Sequence, residues 1–184
     1  MESGSAPVDV PPSRTVVAVV VEWRERVLLL RRSERVFHDK GRWHCVTGYL
    51  DHGASPEQQA LVELHEETGL GVCALDSLEE RGVLDIPDVK GRIWRVHTFR
   101  ASTRQRRLTL DDEHDAYRWV APQAVRRFGN RVDWLDEVFV ATGYAHIMNA
   151  SGASALPGCD QPRPRHASSP GPIPNSDLDA SRIC

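Results

Sequence analysis

Gly48-Tyr-Leu-Asp-His-Gly-Ala-Ser-Pro-Glu-Gln-Gln-Ala-Leu-Val-Glu-Leu-His-Glu-Glu-Thr-Gly-Leu70 is the stretch on which the reading of this chain turns. Its second half predicts a helix over Ser55 to Gly69. Ser55 is a good N-cap, Pro56 suits the first helical position, and Gln58 completes a capping box. Gly69 is a natural residue to end the helix in a left-handed turn. At 100° per residue, Ala60, Leu61, Leu64 and Thr68 share one side and are expected to pack on a sheet. Glu63, Glu66 and Glu67 share another side, at i, i+3 and i+4. Like charges at this spacing destabilise a helix by roughly 0.2–0.5 kcal/mol per pair. Glu66 and Glu67 also sit in the last turn, where the helix dipole disfavours negative charge. No lysine or arginine occurs from Ser55 to Leu70. A lone Glu-Glu pair on a helix is usually a solvated face. Three convergent carboxylates at a helix end instead suit a hard divalent cation such as Mg²⁺ or Mn²⁺, which removes the repulsion and bridges to phosphates.

Outward from the helix, Thr15 to Trp23 and Arg26 to Arg32 read as strands joined by a turn at Arg24 and Glu25. Trp43 to Tyr49 reads as a short third strand. Val72 to Asp85, broken near Ser77 to Glu80, and Arg92 to Ser102 follow, then Ala116 to Val120. Pro122 to Phe128 is expected as a short helix and Val132 to Tyr144 as a longer one. This order predicts an α/β fold with a mixed sheet covered by helices, not a regular βαβ alternation. Residues 151–184 are rich in Pro, Ser, Gly and Asp without apolar periodicity, which predicts a disordered tail. The expected organisation is a flexible N-terminus over 1–12, a folded domain over 13–148 and a Pro/Ser-rich tail over 149–184.

Hydrophobic residues make up 40% and charged residues 27% of the 184 residues, as in a soluble globular protein. The formal net charge of −3 gives no basic excess for nucleic acid. The longest apolar run, Val16 to Val21, is too short to span a bilayer. The N-terminus has no basic region before an apolar one, so no signal peptide is expected. Cys45, Cys73, Cys159 and Cys184 form no metal-binding spacing and are expected as reduced thiols in a cytoplasmic protein.

The segment Gly48 to Leu70 resembles the box of the Nudix hydrolases, G-x5-E-x7-R-E-U-x-E-E-x-G-U with U a bulky apolar residue. Gly48 matches the first glycine, and Glu63, Leu64, Glu66, Glu67, Gly69 and Leu70 match its end without a gap. Gly53 and Pro56 fall where many members carry glycine and proline. Two positions depart: Ala54 stands at the first box glutamate and Val62 at the box arginine, which in the family orients the catalytic carboxylates. The resemblance implies an α/β/α sandwich with a mixed sheet, and metal-dependent attack of water on the diphosphate of a nucleoside diphosphate derivative. It implies Glu63, Glu66 and Glu67 as Mg²⁺ or Mn²⁺ ligands, one of them also orienting the attacking water. A further acid is expected from Asp111 to Asp115, with Glu113 as the choice. Arg31 and Arg32, in the phrase Leu-Leu-Leu-Arg-Arg, are expected to hold phosphate, with Gly48 beside the substrate. The implied partner is a small nucleotide; many family members are homodimers.

Arg104, Arg106 and Arg107 form a basic cluster, more often a solvated hairpin tip. Trp23, Trp43, Trp94 and Trp119 are candidates to stack on a base, although tryptophans in strands are usually core. The histidines share no metal-ligand spacing; His97 and His114 are the hardest to dismiss, while His38, His44, His52 and His65 read as structural or surface groups. Two other readings compete. One is a Nudix fold that binds a nucleotide without cleaving it, favoured by Ala54 and Val62. The other is an enzyme like isopentenyl-diphosphate isomerase, which would use Cys45.

Overall fold

The computed structural model describes residues 14–148, so both terminal segments expected from composition lie outside the described residues. The strands are β1 (Arg14–Trp23), β2 (Arg26–Arg32), β3 (Trp43–His44), β4 (Val46–Tyr49), β5 (Leu75–Pro87), β6 (Ile93–Thr103) and β7 (His114–Val120). They form one mixed sheet. β1 runs parallel to β6, and the other pairings are antiparallel. β1 is central, and Val17 to Val21 are all buried. Layers on both faces explain why this strand is continuously apolar instead of alternating.

β1 and β2 are joined through Arg24 and Glu25, both at positive φ, as a two-residue hairpin turn requires. The hairpin pairs them only at Glu22–Val27 and Trp23–Arg26. Beyond that the two strands part, and the segment 43–49 enters between them. Trp43 and His44 pair with β2, whereas Val46 to Tyr49 pair with β1. The single strand expected over Trp43 to Tyr49 is therefore two, divided at Cys45, because its halves bond to different neighbours.

The apolar residues sort onto two faces. Val17, Val19, Val21, Leu28, Leu30 and Phe99 pack against Ala60 and Leu64 of α1 (Pro56–Thr68). Ala18, Val20, Val27 and Leu29 pack against Leu135, Val138 and Phe139 of α2 (Leu135–Phe139) on the other face. Full burial of a valine, leucine or phenylalanine side chain is worth about 1.5–3 kcal/mol. This is the α/β/α layering expected from the sequence.

Two further expectations need correcting. β5 is continuous through Ser77 to Glu80; Glu79 and Glu80 face solvent on an edge strand, Ser77 bonds the Ser102 hydroxyl at 2.7 Å, and bulges near Ser77 and Gly82 absorb the irregularity. The helix expected over Val132 to Tyr144 begins at Leu135, because Val132 donates its N–H to Trp43 O at 3.0 Å and serves the loop instead. A π-helical turn follows over Val140–Tyr144, with Gly143 at φ 102 breaking the axis before α3 (Ala145–Met148). Pro122–Arg127 is a 3-10 helix. Among the described residues no helix is long and apolar enough to cross a membrane.

Candidate functional site

The site is built where β4 meets α1. The Ser55 hydroxyl accepts from Gln58 N at 3.2 Å and the Gln58 side chain accepts from Ser55 N at 3.0 Å, completing the capping box. Gly69 closes the helix at φ 72, with its N–H on His65 O and Leu64 O. Ala60, Leu64 and Thr68 are buried as expected, while Leu61 is half-buried. Glu67 is buried too, at 4% exposure, and Glu63 is half-buried, so both are turned toward β4. Glu66 lies on the exposed side. The three acids thus divide into an inner pair and an outer one.

Gly48 explains how the inner pair fits. A Cβ built there would stand 1.7 Å from Glu63 Oε1, so the Glu63 carboxylate rests directly on the Gly48 backbone. Glu67 accepts one backbone N–H, from Thr47, at 3.4 Å. Burial, then the charges of Glu63, Asp111 and Glu113, hold the Glu67 carboxyl well above the ordinary carboxylate range. Burial raises Glu63 as well, with Glu66, Glu113 and Asp51 adding to it, while a hydrogen bond from Gln59 opposes the rise. Among the described residues no arginine, lysine or histidine pairs with Glu63, Glu66 or Glu67. Nor are three His, Cys, Asp or Glu side chains drawn together closely enough to enclose an ion. The donor chemistry nevertheless fits a hard cation: carboxylate oxygens, one buried and one half-buried, mutually repelling and without a positive partner among the described residues.

The loop before β7 reaches this pair, since Asp111 and Glu113 both act on Glu67. Glu113 is more than half exposed and lies 3.5 Å from Arg32. Arg32 is therefore at the site's edge, with its Nε on His38 O at 3.1 Å. Arg31 points elsewhere. Its neighbours Val27 and Leu29 belong to the α2 face, and its Nε donates to Asp115 at 2.6 Å. That carboxylate raises the Arg31 guanidinium. Arg104 pairs with Asp76 at 2.9 Å, and Arg106 stacks on Trp23, outside this group of acids. The tryptophans pack in aromatic pairs: Trp23 with Trp119, Trp43 with Phe128, Trp94 with Tyr49. His97 bonds Glu80 at 3.0 Å; Val17 separates it from Gly48 in the register.

Two features escaped the sequence reading. Gln59, one turn before Glu63, is buried and donates to Glu63 Oε1 at 2.9 Å. His44 and His114 form a buried pair with their Nε2 atoms 2.8 Å apart. His114 Nδ1 meets Asp111 at 2.7 Å, and His44 Nδ1 lies 3.5 Å from the Thr47 hydroxyl. Burial pushes both imidazoles down, with His114 and Arg32 adding to the effect on His44 and Asp111 opposing it on His114. The only signal for this pair was a histidine at an inward position of an apolar segment. Cys45 lies in the core on the α2 side, where burial raises its thiol.

The family model for the NUDIX domain matches residues 11–140. An octanoyltransferase from Myxococcus xanthus is 39% identical over 128 residues, which are 64% of this chain and 33% of that protein. An RNA pyrophosphohydrolase from Gluconobacter oxydans is 32% identical over 130 residues, 62% of this chain and 75% of that protein. The chain thus spans a third of the first relative and three quarters of the second. Among solved structures, the dihydroneopterin triphosphate pyrophosphohydrolase of E. coli has a TM-score of 0.59 at 21% identity, covering 76% of this chain and all of that one, a likeness of fold. With the match over residues 11–140 and the box residues gathered around Gly48, the chain belongs to the Nudix hydrolase family.

Proposed function

We propose that this chain hydrolyses a diphosphate linkage in a nucleoside diphosphate derivative with Mg²⁺ or Mn²⁺. The observation that carries this is the inner pair, Glu67 buried and Glu63 half-buried: both raised, near further acids and, among the described residues, unmatched by a cationic side chain. An arrangement that is unfavourable alone becomes favourable with a divalent ion. Glu63 and Glu67 hold that ion, and Glu66 contributes from the outer side. Bound there, a divalent cation supplies neutralisation of charge on the diphosphate oxygens. Glu113, close to both inner acids and partly exposed, orients the attacking water. Arg32 sits beside Glu113 and holds a phosphate oxygen, while Arg31 is already engaged by Asp115. Gly48 leaves the space in which the Glu63 carboxylate lies against β4. The names of two similar proteins, an RNA pyrophosphohydrolase and a dihydroneopterin triphosphate pyrophosphohydrolase, support the same reaction class.

The test is incubation of the full chain with Mg²⁺ or Mn²⁺ and a panel: ADP-ribose, nucleotide sugars, dinucleoside polyphosphates, nucleoside triphosphates and 5′-triphosphorylated RNA. Metal-dependent release of phosphate or a nucleotide is expected for at least one. Intact substrates throughout would favour a non-catalytic nucleotide binder. The isomerase-like alternative is opposed by the buried, raised thiol of Cys45, and full activity in Cys45→Ala would set it aside.

A further inference from the structure

Gln59 is buried to 5% exposure on α1, with both ends of its amide engaged. Asp51 N donates to its Oε1 at 3.2 Å, and its Nε2 donates to Glu63 Oε1 at 2.9 Å. The first bond fixes the sense of the second. A backbone N–H needs an acceptor, so the amide oxygen faces Asp51 and the NH₂ must face the carboxylate. Asp51 also accepts from Ala54 N at 3.1 Å, so the amide ties Glu63 to a closed loop and not to a free strand of chain. Val62, at the position of the box arginine, is 44% exposed and offers no donor. Among the described residues Gln59 supplies the one side-chain hydrogen bond that Glu63 receives.

We infer that Gln59 is the positioning residue for Glu63, replacing the charged donor missing at Val62 and holding the carboxylate over Gly48. A neutral amide does this without cancelling the negative charge a cation needs. It also cannot swing away, because the Asp51 N–H anchors its other end. The inference rests on the metal-binding reading above and adds to it the residue that orders the ligand.

The test is Mn²⁺ affinity, read from the electron paramagnetic resonance signal of free Mn²⁺, on the full chain without substrate. Gln59→Met keeps the packing and removes the donor; Gln59→Glu, closest in shape, replaces the donor by an acceptor and serves if the first variant fails to fold. Each is measured in the wild-type background and with Glu63→Gln. Affinity is expected to fall roughly 10-fold in the wild-type background, the lower range for residues that orient metal ligands. With Glu63→Gln the further loss is expected to stay within about twofold, because the carboxylate to be positioned is gone. Unchanged affinity in the wild-type background would overturn the inference, as would an equal loss in both backgrounds, which marks a general disturbance of the helix. A wild-type chain that holds no Mn²⁺ would sink the metal reading itself and the positioning role with it.

Discussion

Glu22 and Glu67 are the same residue type, each largely withdrawn from water, and their surroundings are opposite. Glu22, next to the last residue of β1, accepts from two nitrogens of Arg100, at 2.8 and 3.0 Å, and from the Tyr144 hydroxyl. Its charge is met, and in return it fastens the C-terminal helical segment to the sheet. Glu67 accepts a single long backbone hydrogen bond and faces Glu63, Asp111 and Glu113. The nearby β5–β6 hairpin repeats the first pattern, with Arg95 on Asp85 and Arg92 on Asp88 at 2.9 and 2.6 Å. Among the described residues, several acids outside the proposed site are met by arginine in this way, whereas Glu63 and Glu67 are not. Among the described residues Glu67 is the one buried carboxylate, and burial without a charge partner is what makes it informative about function.

The contrast can be broken most sharply at Glu67. Glu67→Gln is expected to lower kcat/KM by roughly 100-fold or more, the scale of several kcal/mol of metal-derived stabilisation, in a steady-state assay. The same change should raise metal-free stability at neutral pH by about 1 kcal/mol, or 2–4 °C in the melting temperature. The sign follows from the raised carboxyl: its favourable contribution is full below the ordinary carboxylate pKa, near 4.3, and is lost as pH rises through the folded value. Wild type and variant should therefore converge in stability below about pH 4. A variant less stable than wild type at pH 7 would mean that Glu67 is matched after all.

Gly48→Ala comes next. The three atoms nearest the added methyl all belong to the Glu63 side chain, so folding should change by less than about 1 kcal/mol while Glu63 is displaced. A loss of activity of roughly 10-fold or more is expected; calorimetry beside the activity assay separates the two effects. At the matched site the pattern should reverse. Glu22→Gln is expected to cost about 1.5–3 kcal/mol of stability by denaturant unfolding, the range for hydrogen bonds to charged groups, with kcat nearly unchanged. The smallest effect belongs to the buried imidazoles. Both are lowered, so the unfolded chain takes up protons first as pH falls below about 6.5, and stability is lost with at most about 1.4 kcal/mol per pH unit for each. His44→Gln should flatten that slope; a slope unchanged between pH 6.5 and 5 would remove His44 from the account.

Much of this contrast was legible in the sequence because it is local. The caps at Ser55 and Gly69, the i, i+3, i+4 acids and the absence of lysine or arginine from Ser55 to Leu70 all lie within one helix. What was not legible depends on partners distant along the chain. The split of Trp43 to Tyr49 at Cys45 is decided by which strand each half meets. The meeting of His44 with His114 needs β7 to return beside β2. Helical angles alone grouped Glu66 with Glu63 and Glu67, and only packing on β4 separates the inner pair from the outer acid. Gln59 looked like one polar residue among several until Asp51 gave its amide a direction.

The parallel pairing of β1 with β6 has a consequence for how the molecule is made. Its partners run from Arg14–Trp94 to Glu22–Ser102, so the central strand lacks one neighbour until synthesis has passed Thr103. Until then the row Val17 to Val21 stands with an open edge, and closing such a long loop is slow. A ribosome-bound chain halted just after Gly69 would contain most of the box yet expose that apolar edge. It should recruit chaperones or aggregate, whereas one released after α2 should not.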